Sequence, residues 1–130
     1  MEKAIPATPI PSVGPYSQVV VAGEFIFCSG QIPIDPETGE VITEQVALAT
    51  DRCLKNLSLV LASCGSSLKD VVKTTVYLTD MKHFSAMNEV YARYFPDAPP
   101  ARSTVAVFSL PRGVPVEIEA IAIVGKAPHG

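Results

Sequence analysis

A chain of 130 residues has the size of one domain, and residues 1–130 read as a single one able to bury a core without disulfides or metals. The formal net charge of -3, with Lys and Arg scattered rather than clustered, excludes a strongly basic face and speaks against nucleic acid as the main partner. Charged residues make up 18% of the chain, against about 25% in an average soluble domain; so little charge points to part of the surface being covered in an oligomer.

In chain order, prolines stiffen an amino-terminal arm, "IPATPIPSVGP". "SQVVVAGEFIFCSG" reads as a hairpin, with two β-rich runs flanking the turn Gly23-Glu24. "IPIDPETGEVI" holds a second turn between Asp-Pro and Thr-Gly. The period then changes. Val46, Thr50, Cys53, Leu57, Val60, Leu61 and Cys64 fall on one helical face. Thr43 is placed to cap this helix, Glu44 suits its first turn and Gly65 its end. "VVKTTVYLTD" reads as a strand. Asp80 opens a second helix that stops before Pro96 and aligns Phe84, Met87, Tyr91 and Tyr94. "ARSTVAVFSL" and "VPVEIEAIAIV" are the last two strands, joined by "PRG". The pattern predicts an α+β fold, a two-layer sandwich of a mixed β-sheet with two helices on one face.

The final strand carries a further signal. Val116, Ile118, Ala120 and Ala122 share one face, small enough for close helix packing. Glu117, Glu119, Ile121 and Ile123 share the other. Two aligned isoleucines suit a sheet face that meets another subunit, with Glu117 near the boundary between chains.

Few residues carry obvious chemistry. Cys28, Cys53 and Cys64 fit no metal or redox spacing and read as reduced, packed thiols of a cytoplasmic protein. No apolar run is long enough for a membrane span. His83 reads as a surface residue at a helix start and His129 as part of the tail. They lack the companions of a metal site, and no metal or organic cofactor is expected. No phosphate loop, dinucleotide fingerprint or nucleophile elbow is present. Cys28 lacks an activating histidine. What remains is Arg102 and Glu117, on consecutive strands whose antiparallel pairing would bring them together. An intersubunit salt bridge and a functional pair are equally open readings.

At these residues the chain resembles the RidA (YjgF/YER057c) family. "PPARSTVAVFSLPRGVPVEIEAIAI" is similar to its signature segment, and "GPYSQ", "CSGQIPIDPETGEV", "VVKTTVYLTDM" and "FSAMNEVYARYF" match in the same order. The resemblance implies a chorismate-mutase-like fold assembled as a homotrimer with a cleft at each interface. It implies hydrolytic deamination of reactive 2-imino and enamine acids, derived from 2-aminoacrylate or 2-aminocrotonate, to 2-keto acids and ammonia. By that resemblance Arg102 binds the substrate carboxylate and Glu117 positions water, with Arg102 keeping Glu117 ionised. Tyr16, Ser29, Gly30, Asn88 and Thr104 contribute to the cleft. Thr104 stands where some members have cysteine, so a thiolate role there is excluded. Phe108 stands where many have a smaller residue and is expected in the core. Two other functions stay open. One is a regulatory trimer that binds 2-keto acids without turnover. The other, disfavoured by the charge, is a ribonuclease or translation inhibitor.

Overall fold

In the computed structural model, which describes residues 2–125, the chain runs β1 (Lys3–Ala4), β2 (Val19–Ala22), β3 (Phe25–Gln31), α1 (Val46–Ala62), β4 (Val71–Leu78), α2 (Phe84–Tyr94), β5 (Ala101–Ala106) and β6 (Val116–Ile123). His129 lies outside the described residues. The sheet has the order β1-β2-β3-β6-β4-β5. Every neighbouring pair is antiparallel except β4 and β5, which are parallel. Both helices pack on one face, so the mixed two-layer sandwich stands.

The local chemistry explains most boundaries. Gly23 turns the β2–β3 hairpin with φ +59°, a value glycine accepts without steric cost. Asp35 Oδ1 accepts from the N–H groups of Glu37 and Thr38, and Gly39 closes that turn at φ +79°. Helix α1 buries the expected stripe, including Cys53, Leu57, Val60 and Leu61. Its end is a Schellman motif: Ser66 N–H donates to Leu61 O and Gly65 N–H to Ala62 O, with Gly65 at φ +69°. Its start differs from expectation. The cap position is Gln45, no side chain caps it, and no acidic residue lies in the first turn, so Thr43 and Glu44 do not serve the helix. Burial of Val46, Ala49 and Thr50 sets the first turn instead, as packing commonly outweighs end effects. Asp80 Oδ1 accepts from Lys82 N–H and opens a short 3-10 turn, Met81–His83, that feeds α2.

Strand β5 is the main correction. It lies at the sheet edge beside β4, not against β6. The segment β4–α2–β5 is a crossover unit, which makes its two strands parallel. The link from β5 to β6 then passes over the end of β4. Val107 N–H donates to Leu78 O at 2.8 Å, and Thr79 N–H to Pro115 O at 3.2 Å. Phe108 lies on this link and is fully exposed, contrary to the core position expected of it. The chain has already left the sheet there, so no core faces it.

Along β6, Val116, Ile118, Ala120 and Ala122 are buried beneath the helices, as the alternation predicts. The opposite sheet face is open. Phe25, Phe27, Val105 and Ile123 are exposed on it, with Ile121 half-buried.

Candidate active site

Two separate clusters hold the side chains expected to act. The first lies between β5 and α2. Arg102 is in register with Thr74, and Thr74 with Ala120, which puts all three on the helix-covered face. The Arg102 guanidinium carbon stands 4.8 Å from the centre of the Tyr91 ring and 5.6 Å from that of Phe84, a cation–π arrangement. Tyr91 is itself fixed by a 2.7 Å hydrogen bond between its hydroxyl and Thr74 Oγ1. Among the described residues Arg102 has no carboxylate partner; the ion pairs are Lys55–Asp51 and Lys82–Asp80. Beside it, two buried polar atoms lack any hydrogen-bond partner: Thr104 Oγ1, two residues along the same strand, and Asn88 Oδ1, from α2. Among the described residues the cluster thus presents a planar cation stacked on rings but without a carboxylate, and a hydroxyl and a carbonyl acceptor without hydrogen-bond partners.

The second cluster lies on the open face. Glu117 of β6 and the β3 bulge form one wall of a cleft of about 840 Å³, whose lining includes Tyr16, Ser29, Gly30, Arg112 and Glu119. The β3–β6 register shifts between Cys28 and Gln31. This bulge sets Gly30 against the Glu117 carboxyl. A Cβ at Gly30 would stand 2.7 Å from Glu117 Cδ, so only glycine leaves the carboxylate its space. Ser29 ties the arm down. Its hydroxyl donates to Ser17 O and its N–H to Gln18 O. Gln31 Nε2 donates to Gln18 Oε1 at 2.8 Å, and Gln18 Nε2 to Pro11 O at 3.1 Å. That anchored arm carries the half-exposed Tyr16 to the cleft.

Burial, and secondly the neighbouring Glu119 carboxylate, hold Glu117 above the usual carboxylate range. Arg102 plays no part in this, contrary to expectation. In one chain Arg102 and Glu117 occupy opposite faces of the sheet, with β4 between their strands. The expected antiparallel pairing of β5 with β6 does not occur. Arg102, Asn88 and Thr104 therefore form one half, and Tyr16, Ser29, Gly30 and Glu117 the other.

The sequence reading missed Glu119, Arg112, Gln18 and the rings of Phe84 and Tyr91 as parts of these clusters. Gln18 sits inside "GPYSQ" and its partner Gln31 inside "CSGQ", and that motif context was the available signal. Arg112 takes φ +57° in the Pro111–Gly113 turn, and its Nη1 donates to Gly39 O at 3.2 Å. Cys28 is buried, and desolvation, with a smaller contribution from Cys64, pushes its thiol up to about 12, so it is no nucleophile at neutral pH. His83 is half-buried in the turn that leads into α2. Among the described residues no group of three or more His, Cys, Asp and Glu is arranged to hold a metal ion. Among the described residues no helix is long and apolar enough to cross a membrane.

Comparison with known proteins adds to this geometry. The family model described as Endoribonuclease L-PSP matches residues 7–124. The chain is 53% identical over 110 residues to a RutC family protein of Pyrococcus horikoshii, covering 85% of this chain and 87% of that one. It is 44% identical over 126 residues to the mouse 2-iminobutanoate/2-iminopropanoate deaminase, covering 96% of this chain and 93% of that one. Among solved structures, E. coli TdcF with bound serine is similar with a TM-score of 0.89 and 38% identity, over 94% of this chain and 99% of that one.

Proposed function

Because this chain belongs to the Endoribonuclease L-PSP family, in which the RidA-type deaminases lie, we propose that it hydrolyses imines of small 2-amino acids to 2-keto acids and ammonia. The observation that carries the reading is that Arg102 has no carboxylate partner among the described residues while Thr104 Oγ1 and Asn88 Oδ1 lack hydrogen-bond partners. Leaving a buried polar atom unsatisfied costs about 1–3 kcal/mol, and a ligand with matching groups removes that cost. A 2-imino acid matches: its carboxylate takes two parallel hydrogen bonds from a guanidinium and one from a hydroxyl, and its N–H suits an amide oxygen. The serine bound to E. coli TdcF has the same carboxylate-and-nitrogen pattern.

The second half supplies the water. We place it on a neighbouring copy of the chain, in a homotrimer whose interface covers the apolar open face. This brings Glu117 of one copy to the Arg102 cluster of the next. Glu117 orients a water molecule and takes a proton as the oxygen attacks the imine carbon. It passes that proton to nitrogen to give the carbinolamine, then takes the hydroxyl proton and hands it to the amine as the carbon–nitrogen bond breaks, leaving a 2-keto acid and ammonia. Held above the usual carboxylate range, it is better suited to both transfers than an exposed glutamate. A free imine already reacts with water, so positioning supplies most of the catalysis. The three free thiols suit the reducing cytoplasm.

The test is a coupled assay in which a threonine dehydratase releases 2-iminobutanoate. The wild-type protein should speed keto-acid release, and Arg102→Ala and Glu117→Gln should abolish the gain. A wild type that binds 2-ketobutyrate yet never speeds release replaces hydrolysis with a binding role.

A further inference from the structure

The proposed mechanism leaves one acidic residue of the cleft unused. Alternation along β6 turns Glu119 to the same face as Glu117, about 7 Å further along the strand, and both carboxylates border the cleft. Tyr77 stands opposite Glu117 across the β4–β6 ladder, and its hydroxyl donates to Glu119 Oε1 at 3.0 Å. One carboxylate is therefore anchored by a phenol while its neighbour faces the cleft.

We propose that Glu119, fixed by the Tyr77 hydroxyl, is a positioning residue whose negative charge tunes Glu117 as the proton acceptor of the imine hydrolysis proposed above. Two anions carried on the same face of one strand repel where water is partly excluded. Protonation of Glu117 relieves that repulsion, so the charge of Glu119 strengthens Glu117 as a base. The direction agrees with the raised proton affinity of Glu117, to which burial contributes first and Glu119 second. The other titratable and charged groups around Glu117 do not supply this charge. Tyr77 faces it from β4, and Tyr16 and Arg112 from the cleft rim. Arg112, which donates to the Gly39 carbonyl, is the cation of the same chain, and in the proposed trimer Arg102 of the neighbouring copy is the other; a cation favours the ionised carboxylate, so neither supplies the negative charge. Cys53 of α1 lies near enough to sense Glu117, but burial holds its thiol neutral.

Glu119→Gln removes the charge and keeps an acceptor for the Tyr77 hydroxyl, so the anchor survives. Tyr77→Phe keeps the charge and removes the anchor. Two readouts apply: the midpoint of Glu117 by carboxyl-carbon NMR in 13C-glutamate-labelled protein, and the acid limb of kcat/KM for 2-iminobutanoate with the uncatalysed rate subtracted. In Glu119→Gln both should move to lower pH together, and the neutral plateau should fall because the base is weaker. Tyr77→Phe should move both the same way by less. A purely structural role would lower the plateau and leave the limb in place. A Glu117 midpoint that stays put in Glu119→Gln overturns the tuning. An NMR midpoint that moves while the rate profile does not follow keeps the tuning and refutes Glu117 as the base of the hydrolysis.

Discussion

Mixing two inactive variants should restore activity. Arg102→Ala removes the proposed carboxylate anchor and Glu117→Gln the proposed base, and each homogeneous protein should be inert. The two positions lie on opposite sheet faces of one chain, and in the proposed trimer a working cleft takes Arg102 from one copy and Glu117 from the next. In a three-membered ring, a competent cleft arises wherever a Glu117→Gln chain donates Arg102 to an Arg102→Ala chain that donates Glu117. Random assembly from equal amounts leaves roughly one quarter of all clefts in that state. The assay is dehydratase-coupled keto-acid release after co-expression with two affinity tags, with subunit composition checked by native mass spectrometry. Mixed trimers selected through both tags hold one competent cleft out of three. If such trimers are no more active than the parents, both residues act from one chain and the composite cleft is wrong.

The remaining predictions use single substitutions. Gly30→Ala drives a methyl into the Glu117 carboxyl; kcat/KM should fall by about 10²-fold, while a cooperative thermal melt shows the fold intact. Thr104→Val removes an unpartnered buried hydroxyl; the ligand-free protein should gain about 1 kcal/mol in urea unfolding, and KM should rise. An unchanged KM would remove Thr104 from the substrate site. Glu117 is held above its ordinary range by burial and then by Glu119, so the folded chain binds its proton more tightly than the unfolded chain does. Stability should therefore fall as pH rises from the unfolded value through the raised folded one. Glu117→Gln should lose that slope and melt higher than wild type at neutral pH, which thermal melts across mildly acidic and neutral buffers will check.

Much of this architecture was legible because alternation and helical spacing report burial directly. The faces of β6 and the buried stripe of α1 follow from residue order alone. The position of β5 did not emerge, because a short "PRG" turn between two strands resembles a hairpin connection. The competing signal was present: a strand, a helix and a strand in succession favour a parallel crossover. A parallel β4–β5 pair leaves β4 between Arg102 and Glu117. Phe108 goes with it: "ARSTVAVFSL" reads as one strand through Phe108, but β5 ends at Ala106 and Phe108 lies on the link outside the sheet. The candidate site residues come from motif resemblance, and residue order alone did not reveal their division between two sheet faces. Residue type says what a side chain can bind, while only the sheet order says which face it occupies. Glu119 was seen as part of a mixed face, yet its tie to Tyr77 spans 42 residues and depends on the β4–β6 register.

The β3 bulge has a consequence for the phase of the strand. From Cys28 to Gln31 the chain advances three residues while β6 advances two, from Ala120 to Ile118. The additional residue lets both Cys28 and Gln31 point inward, so that Gln31 reaches Gln18 in the interior. Deleting one residue at Ser29 or Gly30 would restore plain alternation without turning Gln31 outward, because two residues from Cys28 is again an inward position. The ladder would close, and the recess that houses the Glu117 carboxyl would close with it. Most one-residue deletions in a central strand invert everything downstream and destroy the sheet. Here the added residue serves the cleft rather than the ladder, so the loss of a single codon would part the fold from its chemistry.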